Sequence, residues 1–346
     1  MKPLAFAQLN WIWARLKAFP GGFPSTETVP KKKVRSAMRC RLLIGLILTG
    51  LAIFSLRGPG ASAQTSQTTI RAEVALVNVV FTAVDRSGHP VQGLKADDFE
   101  IFENKEAQKI EYFSPLGKGS EVPLTIALLI DTSGSVRSKL DFEKATAAEF
   151  FREILRPNKD LALIIQFDSD VNLVQDFTQK QDDLLNALEG LKAGNSTALY
   201  DAVYLAADEK LKGEVGRKVM VVITDGEDTS SKLRKGEAIE AAQKNDVLIY
   251  GIGVRSEGFG SNFGVLQKFA DETGGAFFSP RAKFSEIQAA FRAIGEEIQG
   301  QYSLAYNPTN KKKDGTFRSL ELRCKVRTVH VRTRKGYYAP NPVSAS

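Results

Sequence analysis

Residues 126–136 read IALLIDTSGSV, and the fold is decided there. Five apolar residues run without interruption into Asp131, and Ser133 and Ser135 follow at alternate positions. An unbroken apolar run is what a strand covered on both faces requires, whereas a strand with one wet face would alternate. Such a strand should not end in three oxygen donors within five residues unless that end does something. In open α/β sheets, ligands bind beyond the carboxyl ends of the strands.

Outward from this stretch, strand and helix patterns alternate. Further buried strands are predicted at DLALIIQF (160–167), KVMVVIT (218–224) and VLIYGIGV (247–254), with a short one in GAFFSP (275–280). Helical patterns occupy 139–155, 181–191, 198–212, 235–244, 263–273 and 284–299, the first ended by Pro157. This order predicts an α/β domain over 123–300, a doubly wound, mostly parallel, Rossmann-like sheet with helices on both faces.

The flanks read differently. Residues 70–118 predict a small β-domain: Val, Ile, Thr and Phe dominate 70–83, and turn signals follow at Ser87-Gly88 and His89-Pro90. Two short strands are expected in 97–115, joined at Glu103-Asn104-Lys105. The pattern is again β over 301–340, in QYSLAYNP, SLELRCKV and VHVRTRKGYYAP. The two β-segments are expected to pair, so that the α/β domain is either inserted in one small β-sandwich or a platform on it. Cys324 shares a side with Leu320, Leu322 and Val326 and is expected to be buried.

The net charge of +7 is unevenly placed. Residues 1–63 carry ten Lys or Arg and one acid, and 311–335 carry ten against Asp314 and Glu321, which leaves 64–310 near −10. An acidic body argues against a nucleic-acid partner. The run at 311–335 reads as a solvated strand face, with Glu321, Arg323 and Lys325 alternating with apolar residues.

The basic start reads as a targeting segment. Met38, Arg39 and Arg41 precede the apolar run Leu42–Leu56, and Ala61-Ser62-Ala63 follows, the three parts of a secretory signal over 38–63. Cleavage after Ala63 would place the protein in the periplasm or outside the cell, with a polar linker at 64–69 and no stable transmembrane anchor. The alternative is an anchor formed by uncleaved 42–56. Residues 1–37 read as an over-extended start before a true Met38; Trp11 and Trp13 lie there. Cleavage would also remove Cys40, leaving Cys324 without a disulfide partner.

The third strand ends in Asp225, the counterpart of Asp131, and Thr197 precedes a helix in GNSTALYDAV. Singly, these residues read as helix caps or turns. Together, two carboxylates and three hydroxyls without His or Cys describe a hard-cation site: Mg²⁺, with Mn²⁺ or Ca²⁺ as alternatives. Glu227, Asp228, Asp168 and Asp170 read as a solvated rim.

The motif DTSGS, the distant Thr197 and ITDGEDTS resemble the metal-ion-dependent adhesion site of von Willebrand factor A domains. The resemblance implies that Ser133, Ser135 and Thr197 coordinate the metal by hydroxyl oxygen, and that Asp131 and Asp225 act directly or through water. It implies a protein partner presenting a Glu or Asp carboxylate as the remaining ligand. VQGLKADDFEIFENK, QYSLAYNPTN and RTRKGYYAP resemble the flanks of acidobacterial-type VWFA-related secreted proteins.

Catalysis is not expected. The two histidines, His89 and His330, lie far from the oxygen cluster in sequence, and no G-x-S-x-G, H-E-x-x-H or G-x-x-x-x-G-K-[ST] motif occurs. The reading is a secreted or periplasmic adhesion-type module. A Mg²⁺-dependent hydrolase and a structural part of an envelope assembly are the alternatives.

Overall fold

A computed structural model describes residues 76–225, 228–255 and 263–341. The expected signal segment, the linker at 64–69, Gly226 and Glu227 lie outside the described residues.

The α/β domain is built on a six-stranded sheet. Its strands are β5 (Leu124–Asp131), β6 (Leu161–Phe167), β7 (Val171–Thr178), β8 (Arg217–Thr224), β9 (Val247–Gly253) and β10 (Phe277–Phe278), in the order β10-β9-β8-β5-β6-β7. All neighbours are parallel except β6 and β7, which run antiparallel. All eight residues of central β5 are buried.

Six α-helices cover the sheet among the described residues: α1 (Leu140–Ile154), α2 (Gln181–Glu189), α3 (Leu199–Tyr204), α4 (Lys235–Lys244), α5 (Gly264–Thr273) and α6 (Phe284–Gln299). The residues of β5 serve the two faces alternately. Ile126, Leu128 and Ile130 meet Phe150 and Phe151 of α1 and Phe291 of α6. Ala127 and Leu129 share the other core with Leu199 of α3 and Phe269 of α5. Phe151 is fully buried. Phe151→Ala should cost about 3–5 kcal/mol, read as a lower urea midpoint at unchanged slope; a midpoint shift near zero would refute this packing.

Two elements depart from expectation. Strand β7 was not foreseen: it is a half-buried edge strand with register shifts against β6, so it carries neither a full apolar run nor a clean alternation. The helix expected over 198–212 is α3 followed by a π-helical turn at Leu205–Lys210.

The remaining strands make two four-stranded sheets. One has the order β13-β1-β11-β4, the other β14-β12-β2-β3. They comprise β1 (Val77–Val84), β2 (Phe99–Glu103), β3 (Glu106–Gln108), β4 (Ile110–Pro115), β11 (Tyr302–Tyr306), β12 (Phe317–Cys324), β13 (His330–Thr333) and β14 (Gly336–Tyr338). Each sheet mixes strands that precede and follow the α/β domain, and the two share one core around Phe81, Phe99, Tyr302 and Leu322. Where two strands were expected in 97–115 there are three, because Gln108 ends one pairing and Ile110 begins another. Cys324 is half-buried and Val326 is exposed, since β12 ends at Cys324. Glu321 and Arg323 face solvent, but Arg318 and Arg334 are buried, against the reading of 311–335 as a solvated face.

Candidate metal centre

Asp131 closes β5 and Asp225 directly follows β8, and these strands are hydrogen-bonded neighbours with Ile130 opposite Ile223. The sheet therefore delivers both carboxylates to one edge. The Asp131 carboxylate accepts the Ser133 amide at 2.8 Å and, on its other oxygen, the Thr224 hydroxyl. The Ser133 and Ser135 hydroxyls lie 3.0 Å apart, and Ser135 donates to Asp225 at 2.8 Å. Four of the five expected residues thus form one hydrogen-bonded chain.

Thr197 is placed by its loop. The Gly134 amide donates to Asn195 at 2.9 Å and the Gly194 amide to Thr132 at 2.5 Å, which binds this loop to the DTSGS turn. Its carbonyl accepts the amides of Thr229 and Ser230 at 2.9 and 3.1 Å. Thr197 is 5% exposed. A methyl group at Gly194 would overlap the Asp168 side chain, so the close approach of the two needs that side chain to shift if anything larger than glycine stands there.

Two residues at the site were not foreseen. The Lys139 ammonium pairs with the second Asp225 oxygen, both side chains being almost wholly buried. Glu143, one turn along α1, is completely buried and neither carboxylate oxygen has a hydrogen-bond partner. The available signal was its position: Glu143 interrupts the apolar stripe Leu140, Ala147, Phe150, Phe151 and Ile154.

Burial and neighbouring charge raise two of these acids. The Asp131 carboxyl is pushed up to about 6, first by burial and further by the Asp225 charge, against the hydrogen bonds from Thr224 and Ser133. Glu143 is pushed up to about 8 by burial and by the charges of Asp131 and Asp225, with Lys139 opposing.

The excess of buried acid over base favours a cation. Among the described residues no group of three or more His, Cys, Asp or Glu could hold a metal ion, so acids alone do not make the site. The donors that fit are mixed, the carboxylates of Asp131 and Asp225 with the hydroxyls beside them, and such oxygens suit Mg²⁺, Mn²⁺ or Ca²⁺.

Two acids of the expected rim accept local hydrogen bonds. Asp228 accepts the Tyr200 amide at 3.3 Å and the Ser231 hydroxyl, and Asp168 accepts the Asp170 amide at 3.0 Å. His89 lies in the turn after β1 and His330 opens β13, both in the flanking β-region.

Residues 125–293 match the sequence profile of the von Willebrand factor type A domain. This segment is a von Willebrand factor type A domain. A curated relative, an uncharacterized protein of Borreliella burgdorferi, is 26% identical to this chain over 188 residues, 46% of this chain and 54% of the relative. The match thus spans about half the length of that relative. Among solved structures, the vWF domain of the type V pili tip protein Mfa5 from Porphyromonas gingivalis superposes with a TM-score of 0.45 at 13% identity, covering 52% of this chain and 96% of that one. Proximal thread matrix protein 1 from the mussel byssus, with a zinc-occupied MIDAS motif, gives 0.46 at 18% identity, covering 56% and 49%. No helix among the described residues is long and apolar enough to cross a membrane.

Proposed function

We propose that the chain is a secreted or periplasmic, non-enzymatic module that binds a protein partner through a divalent cation, most simply Mg²⁺, held by Asp131, Ser133, Ser135, Thr197 and Asp225. The observation that carries this is the hydrogen-bonded chain from Asp131 through Ser133 and Ser135 to Asp225 at the carboxyl edge of the sheet. The bound cation would supply an open coordination position for a Glu or Asp carboxylate of the partner. Ser133 and Ser135 contribute neutral oxygens and so leave part of the cation's charge for that carboxylate. Glu143 is fully buried, so it is not placed to act as a general base on an outside substrate. The flanking sheets belong, in this reading, to the acidobacterial-type secreted group that their sequence resembles.

Calorimetry with Mg²⁺ and Mn²⁺ tests the reading. Saturable binding is expected in the wild type and none in Ser133→Ala with Ser135→Ala, and capture of protein partners should fail in EDTA. Metal binding by the double variant equal to wild type would overturn the site assignment. Metal-dependent turnover of a phosphate or peptide substrate, lost in Asp131→Ala, would replace this reading with a hydrolase.

A further inference from the structure

A second feature lies at the other end of the domain. Among the described residues, a cleft of about 660 Å³ is lined by six cationic side chains, Lys244, Lys311, Lys312, Lys313, Arg318 and Arg334, against one carboxylate, Asp246. It adjoins the end of α4 and the residue before β9, hence the amino ends of the parallel strands. The adhesion site sits at their carboxyl ends. Strand β8 has eight residues, so the two sites lie about 25 Å apart along the strand direction.

The cleft is built rather than incidental. The three consecutive lysines are exposed on the loop between β11 and β12. Beneath them the buried Arg318 guanidinium donates to the carbonyls of Asn310 and Lys312, which fixes the course of the loop. Arg318 is itself held by Glu103 at 3.3 Å, and Glu103 accepts the hydroxyls of Tyr306 and Tyr337 at 2.6 and 2.8 Å. Its Nε has no hydrogen-bond partner. Asp246 is already spent on Arg334, and Lys244 on Glu240. The backbone that carries the three lysines is therefore held in place, with the Lys311 ammonium donating to Asn307, and a preorganised loop loses less on binding.

The wall is not purely charged. Leu76, Pro308 and Tyr338 line the same cleft, and Leu76 is 40% exposed. A compact anion would use the lysines and ignore this wall. A cleft of ligand size combining apolar walls with a few convergent charges suits a longer amphipathic ligand. We infer that the cleft binds an acidic peptide segment, with carboxylates at Lys311, Lys312 and Lys313 and apolar side chains against Tyr338 and Pro308. This contact needs no metal, and it would give the protein a second point of attachment.

The test uses the purified protein in EDTA, which silences the adhesion site, and a fluorescein-labelled peptide of alternating glutamate and leucine. Anisotropy should show saturable binding that weakens at least about tenfold between about 0.05 and about 0.3 M NaCl. Lys311→Ala, Lys312→Ala and Lys313→Ala together should weaken it by about tenfold or more, and Tyr338→Ala by a few-fold. All four positions are at or near the surface, and unchanged melting confirms folding. A glutamine-for-glutamate peptide binding as tightly, or a triple variant with wild-type affinity, would overturn the proposal. A sulfated oligosaccharide displacing the peptide at lower concentration than unlabelled peptide would also overturn it and assign the cleft to a glycan.

Discussion

An Asp225→Ala chain loses divalent-cation binding and, without metal, melts well below the wild type. Both effects come from one carboxylate. Asp225 accepts the Ser135 hydroxyl on one oxygen and the Lys139 ammonium on the other. Removing one member of a buried ion pair strands the other, at a cost of about 3–5 kcal/mol. Lys139→Met strands the carboxylate instead, so it too melts low in EDTA. The two variants part when Mg²⁺ is added. The methionine chain regains stability and binds Mg²⁺ more tightly than wild type, since no ammonium has to leave Asp225. The alanine chain gains nothing. Thermal melts in EDTA and in Mg²⁺, with calorimetry, distinguish them; equal stabilisation of Asp225→Ala and wild type by Mg²⁺ would remove Asp225 from the site.

The metal-free protein should grow less stable as the pH rises from about 4.5 towards about 8. Glu143, ordinarily near 4.5, is pushed up to about 8 by burial and the neighbouring acids. Across that window the folded chain keeps a proton that the unfolded chain has released. The stabilisation is complete below the unfolded value and is lost as the pH passes the folded one. One such group contributes a slope of up to about 1.4 kcal/mol per pH unit. Asp131, pushed up to about 6, adds to the fall in the lower part of the window. Glu143→Gln keeps the shape and removes the titration, so its urea midpoints in EDTA should vary much less with pH. A wild-type profile that is flat, or a glutamine profile equally steep, would contradict the burial of an ionisable Glu143.

What the sequence made legible follows the strength of the physical signal. Strands β5, β6, β8 and β9 are buried on both faces, and continuous apolar runs announce this without ambiguity. The oxygen donors were legible because a strand like β5 has no structural reason to end in Asp131, Ser133 and Ser135. Strand β7 was hidden because a half-buried edge obeys neither template. Lys139 and Glu143 were hidden for a different reason: charged residues at a helix start ordinarily face water, and only the three-dimensional meeting of α1 with the end of β8 turns them inward. Arg318 deceived in the same way. It occupies a buried position of the alternating β12, where its guanidinium serves carbonyl groups of a loop that no local pattern connects to it.

The way the chain enters and leaves the type A domain has a mechanical consequence. Pro115, the last residue of β4, and Tyr302, the first of β11, are paired across adjacent antiparallel strands, and the Leu116 amide donates to Gln301 at 2.7 Å just beyond them. The domain therefore hangs from a two-stranded neck whose strands are tied to each other at its root. A pull on the domain reaches the flanking sheets through both strands from the same end, and its component along β11 is the one that the sheet resists best. Strand β11 continues into the flanking sheet beside β1, through five residue pairs from Val77–Tyr306 to Phe81–Tyr302. Force in that direction loads these rungs in shear, all together, rather than peeling them one at a time, so the attachment yields only when the whole row gives way.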